Sequence, residues 1–162
     1  MNRRLPRMIP AVAFVVLCLA GTRVEVAGAA KFHVVLSGGP HKGTYDVTAD
    51  ACMAGLQKAG SWHATWEAEK DEKGKLTAVL LGIDPKPTFG NGLTLVVNFG
   101  DEDSKLMYEV LEPVTHVVDR GATATLRFNG DARTTSYEDG SQAPAGAVEI
   151  TVECGKIIRG NQ

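Results

Sequence analysis

The sequence predicts an all-β domain: an antiparallel β-sandwich or partly open barrel of about eight strands, with one short helix near Cys52. Three observations carry that expectation. Apolar and polar residues alternate with a period of two in short runs along most of the chain. Glycine, proline, asparagine and aspartate separate those runs, as turns require. Two cysteines, Cys52 and Cys154, are spaced far apart, with the second at the end of the last alternating run.

The runs follow in order. KFHVVLS puts Phe32, Val34 and Leu36 on one face, and GTYDVTA puts Tyr45, Val47 and Ala49 together. SWHATWEAE aligns Trp62, Ala64, Trp66 and Ala68 against His63, Thr65, Glu67 and Glu69. LTAVLLGI is apolar on both faces, as a central strand would be. NGLTLVVNFG aligns Leu93, Leu95, Val97 and Phe99, and KLMYEVL aligns Leu106, Tyr108 and Val110. GATATLRFNG aligns Ala122, Ala124, Leu126 and Phe128; AVEITVEC closes the series with Val148, Ile150, Val152 and Cys154. Between them, EKDEKGK reads as a charged hairpin tip at Gly74, DPKPTFGNG as a proline turn ending in Asn91-Gly92, and GDEDS as a tight acidic turn. FNGDARTTSYEDGSQAPAG reads as a long polar excursion. ADACMAGLQKAGS breaks the rhythm. It is alanine-rich, Asp50 suits an N-cap, Gly60 suits the C′ position, and Met53, Leu56 and Gln57 have helical spacing. A short helix is expected there.

The N-terminus reads as a secretory signal peptide, residues 1–30. MNRRLPRM is basic, IPAVAFVVLCLA is a short apolar run, and Ala27-Gly28-Ala29 fits a cleavage site, with a cut after Ala30 also open and one after Ala20 chemically acceptable. The apolar run is shorter than the roughly 20 residues that a membrane span needs. What remains, residues 31–162, is expected to be one domain in an extracytoplasmic (secreted or periplasmic) setting. Removing four arginines and Glu25 from 17 basic and 19 acidic residues leaves 13 and 18, a net charge of −5. The cations are scattered, so the sequence argues against a nucleic-acid partner.

Compartment also decides the cysteines. Cys18 lies in the signal segment and leaves with it. Leu17 stands where a lipoprotein signal needs a small residue, so lipidation is not expected. Cys52 and Cys154 are then the remaining pair in an oxidising compartment, and a disulfide is the expected outcome. Neither has the short-spaced ligands of a metal site, and a lone thiol would be oxidised there. The two lie 102 positions apart, and in the chain-entropy view closing a loop of about 100 residues stabilises a fold by up to about 4.7 kcal/mol.

The histidines His33, His41, His63 and His116 form none of the short metal or metalloprotease motifs. His33 and His63 fall on polar strand faces, where solvent exposure is the simpler reading; a metal site assembled in space is the alternative. Asp101, Glu102 and Asp103 read as a solvated hairpin tip rather than a calcium loop, because the turn is too short for six ligands. Ser37-Gly38-Gly39 reads as a turn, since neither G-x-S-x-G nor a phosphate-binding loop is present. Trp62 and Trp66 share one strand face. Core packing is the simpler reading; exposed, the pair would form an aromatic platform for sugar rings. No cofactor is expected. The sequence therefore points to a non-enzymatic module that binds a protein or glycan at the cell surface or supports the envelope. The alternatives are a carbohydrate-binding module using Trp62 and Trp66, and a secreted enzyme or metalloprotein using His33, His41 or His63.

The order DVTADAC, LTAVLLGIDPKPTFGNGLTLVVNFG and VEITVEC, over roughly 44–154, resembles the LpqH-type mycobacterial lipoprotein antigens. That resemblance implies a small exported β-rich domain at the cell envelope, engaged in surface or host interaction, with Cys52 and Cys154 as the matching disulfide. The lipobox of that family is missing here.

Overall fold

The structure is a computed structural model and describes residues 29–56, 58–85, 92–100, 105–110 and 112–160. The expected signal segment up to residue 28, Gln57 of the expected helix, residues 86–91 of the proline turn and the acids Asp101, Glu102 and Asp103 lie outside the described residues.

Among the described residues eleven strands form: β1 (Ala30–Leu36), β2 (Gly43–Ala49), β3 (Cys52–Ala54), β4 (Trp62–Glu67), β5 (Leu76–Ile83), β6 (Leu93–Phe99), β7 (Leu106–Val110), β8 (Val114–Asp119), β9 (Ala124–Ser136), β10 (Gln142–Cys154) and β11 (Ile157–Arg159). They make one sheet in the order β11-β3-β4-β5-β6-β7-β9-β10-β1-β2, with β8 added beside β9. The sheet curls into an open half-barrel, so the expected partly open barrel describes it. All pairings are antiparallel except the short β11–β3 pair.

The alternating runs become strands because each can bury one face. Phe32, Val34 and Leu36 of β1, Leu95, Val97 and Phe99 of β6, and Leu126 and Phe128 of β9 all point into the core. Val148, Ile150, Val152 and Cys154 of β10 face them. Ala30, the last residue of the expected signal segment, is already buried in β1 and registered between Ala49 and Cys154.

Three expectations are corrected. No helix forms near Cys52 among the described residues. Cys52, Met53 and Ala54 are instead β3, buried, half-buried and buried in turn, paired with β4 on one side and β11 on the other. Two sheet partners offer the backbone better hydrogen bonding than a short helix with weak caps. Gly55 then takes a φ of 68°, which turns the chain out of the strand. Second, the polar excursion is a hairpin. β9 and β10 extend each other to 13 residues each and meet at the tip between Ser136 and Gln142. Their polar residues lie on strands because each backbone satisfies the other. The pairing shifts register between Pro144 and Gly146, where proline has no N–H to give and Gly146 adopts a φ of 73°. Third, the strand count rises from about eight to eleven through β3, β8 and β11, which are short or carry no strict alternation.

β9 organises the sheet. One edge pairs with β10; the other pairs with β8 over Ala124–Asn129 and with β7 over Ala132–Ser136. Gly130 sits where the two neighbours part. A Cβ there would come within 2.5 Å of Val110 Cγ1, so the fork closes only around a glycine.

Candidate functional site

The curl brings β2 beside β4 without a backbone pairing between them. β3 pairs with β4 only up to Ala64, so the Thr65–Glu67 stretch of β4 faces β2 across an unpaired seam. A groove of about 550 Å³ opens there. Trp66, Met53 and Ile158 supply apolar surface, while Thr48, Thr65 and the carboxylates of Asp50, Glu67 and Glu69 supply oxygens. Thr48 also belongs to a neighbouring depression of about 460 Å³ on the outer face of β2, β1 and β10. There His33 Nδ1 lies 2.6 Å from Asp46 Oδ1, with Lys31, Thr151 and Glu153 around the pair.

The two tryptophans are separated in role. Trp62 is only 7% exposed and faces the core, with the Arg159 guanidinium 5.7 Å from its ring centre. Trp66, on the same strand face, is half-buried and reaches the seam groove. The strand leaves the cover of β3 between these two positions, which is why the second ring is wetter.

The histidines lie in four different settings. His33 is exposed on β1, and His116 is exposed on β8. His63 is half-buried on β4 against Gly82, and its Nε2 accepts no hydrogen bond from the protein. His41, in the β1–β2 loop, stacks on Phe99 with ring centres 4.1 Å apart. Its backbone N–H donates to Tyr108 Oη at 2.9 Å, and Tyr45 Oη donates to its carbonyl at 2.8 Å. Burial lowers the His41 pKa and raises those of Tyr45 and Tyr108. Among the described residues, no three His, Cys, Asp or Glu side chains converge on a position that could hold a metal ion.

Cys52 and Cys154 form a disulfide, with Cα atoms 5.7 Å apart, so neither is a thiol. Both are buried, and the bond ties β3 to the end of β10. It fits an oxidising, extracytoplasmic environment. No helix among the described residues is long and apolar enough to cross a membrane.

Arg159 was not singled out in the sequence. Its guanidinium takes both oxygens of Asp119, at 2.7 and 3.0 Å, and donates to the Gly121 carbonyl. The Arg159 hydrogen bond, joined by the Gly121 N–H, holds the Asp119 carboxyl below the usual carboxylate range. The pair fastens β11 to the end of β8. Forty positions separate the partners, so no local pattern announces them.

No protein-family profile matches the chain, and neither a curated protein nor a solved structure does.

Proposed function

We propose that the protein is a non-enzymatic, extracytoplasmic binding module whose ligand lies in the seam groove between β2 and β4, and that the ligand is a neutral saccharide. The observation that carries this reading is the chemistry of the groove. A half-buried indole stands beside hydroxyl and carboxylate oxygens across an unpaired strand seam. Sugars present apolar C–H faces that stack on an aromatic ring and hydroxyls that donate to carboxylates. The acids disfavour an anionic ligand. Trp66 carries the binding, and Trp62 serves the core. The order of segments that resembles the LpqH-type antigens supports a cell-envelope setting for the same module.

The test uses the two tryptophans. Acrylamide is expected to quench Trp66 and to spare Trp62. Titrating neutral oligosaccharides, with tryptophan emission as readout, should give a saturable shift that Trp66→Ala removes. Retention of affinity in Trp66→Ala, or no response to any saccharide, overturns the reading. A loss of about tenfold or more, near 1.4 kcal/mol, is expected from deleting the ring.

A further inference from the structure

We infer that β8 is the contact strand of a homodimer, and that two copies join edge to edge through it. β8 pairs with β9 alone among the described strands, so its second edge is unpartnered. The register shows what that edge offers. Arg120 N–H donates to the Thr123 carbonyl at 2.8 Å, which makes 120 and 123 a hydrogen-bonded pair at the turn. Hydrogen-bonded and non-hydrogen-bonded pairs alternate along an antiparallel ladder. Val114, His116 and Val118 therefore spend their backbone groups on β9, and Thr115, Val117 and Asp119 direct theirs outward.

The devices that blunt free edges are lysine, internal proline, bulges and covering loops. β8 reads VTHVVD, with no lysine, no internal proline and no register shift against β9. Val114 is 66% exposed, the highest value among the exposed large hydrophobic residues described. The competing edges are less open: β2 runs alongside β4, and β11 has three residues and ends in the committed Arg159.

A second copy fits this edge because the strand complements itself. A twofold axis at His116 sets Thr115 opposite Val117 of the other copy, twice, giving about four backbone hydrogen bonds. On the exposed face it sets Val114 against Val118, twice, and the two His116 rings together. Asp119, held by Arg159, falls opposite Pro113, so no two charged side chains of like sign on β8 meet. A register centred on Val117 would put Val114 against Arg120 and is the poorer match. The paired sheet would run β2-β1-β10-β9-β8 into the same five strands of the second copy. The contact is a single strand pair, so the association belongs to the weak, concentration-dependent class.

The purified protein, its N-terminus read by mass spectrometry, should show a sedimentation-equilibrium mass that doubles with rising concentration. Val114→Lys adds the natural edge charge at an exposed position, and Thr115→Pro removes a donor that serves no partner among the described residues. Both should keep the wild-type far-ultraviolet circular dichroism and stay monomeric. His116→Cys should cross-link two copies under mild oxidation much faster than Val118→Cys, because only position 116 meets itself. A single monomer mass at every concentration overturns the inference, as does a dimer that tolerates both edge variants. Equal cross-linking at 116 and 118 overturns the register. A monomeric chain that captures an added extended peptide along β8 overturns the second copy as occupant.

Discussion

His41 is held by its neighbours rather than by its own strand. Its ring stacks on Phe99, and both of its backbone polar groups are taken by tyrosine hydroxyls from β2 and β7. Burial lowers its pKa from the ordinary value of 6.5. Between that value and the lowered one, the unfolded chain binds the proton and the folded chain does not. The stability that His41 contributes is therefore fully present above pH 6.5 and is lost as pH drops through the folded value. Thermal melts at pH 7.5 and about pH 5.5 should show a lower Tm at the acidic end, and His41→Gln should shrink that difference. An unchanged difference in the variant would remove His41 as its source. The sequence shows a histidine in a glycine-rich loop; the ring that receives it lies 58 positions away, as the numbers 41 and 99 give.

Among the elements, the strands with strict alternation were legible, and those shaped by partners were not. Phe32, Val34 and Leu36 announce β1 because a period of two with large apolar residues has one economical solution. The Cys52 segment announces a helix by composition, yet two neighbouring strands outbid it. The tertiary context overrides propensity there, because β-preference is chiefly a matter of packing and partners. β11 is the extreme case. Three residues cannot hold a strand alone, and β11 persists through its pairing with β3 and the Asp119–Arg159 clamp. The clamp is complete above the ordinary carboxylate range, near pH 4, and is lost as pH falls through the lowered Asp119 value. Asp119→Asn should speed hydrogen exchange of the 157–159 amides severalfold and leave β1 and β10 protected. Equal protection of β11 in the variant would show that the β3 pairing suffices.

At the scale of the whole molecule, the disulfide fixes the curl. It links β3, near one end of the sheet order, to β10, near the other, across 102 positions. The β2–β4 seam has no backbone ladder of its own, so the covalent tie beside it limits how far the half-barrel opens. Removing it with Cys52→Ala and Cys154→Ala together should lower unfolding stability by about 2–5 kcal/mol. Denaturant midpoints of the oxidised protein and the double variant measure this. The seam groove should suffer too, with weaker saccharide binding in the double variant even where the fold survives. Equal midpoints would mean that the unfolded chain is already compact around the same contacts.

The all-β class, the inward faces of the alternating strands and the pairing of Cys52 with Cys154 are legible along the chain. Each follows from local periodicity or from elimination, and both are readable along a chain. The remainder comes from contacts between distant segments, and so from the fold. The fold made β3 of an apparent helix and a hairpin of an apparent loop, because a backbone takes the partner that the fold presents. It separated Trp62 from Trp66 according to where β3 ends. It joined Asp119 to Arg159 and His41 to Phe99, contacts that arise only when distant strands become neighbours. The candidate groove and the open edge of β8 belong to this second group, since a seam and an edge are properties of how a sheet closes.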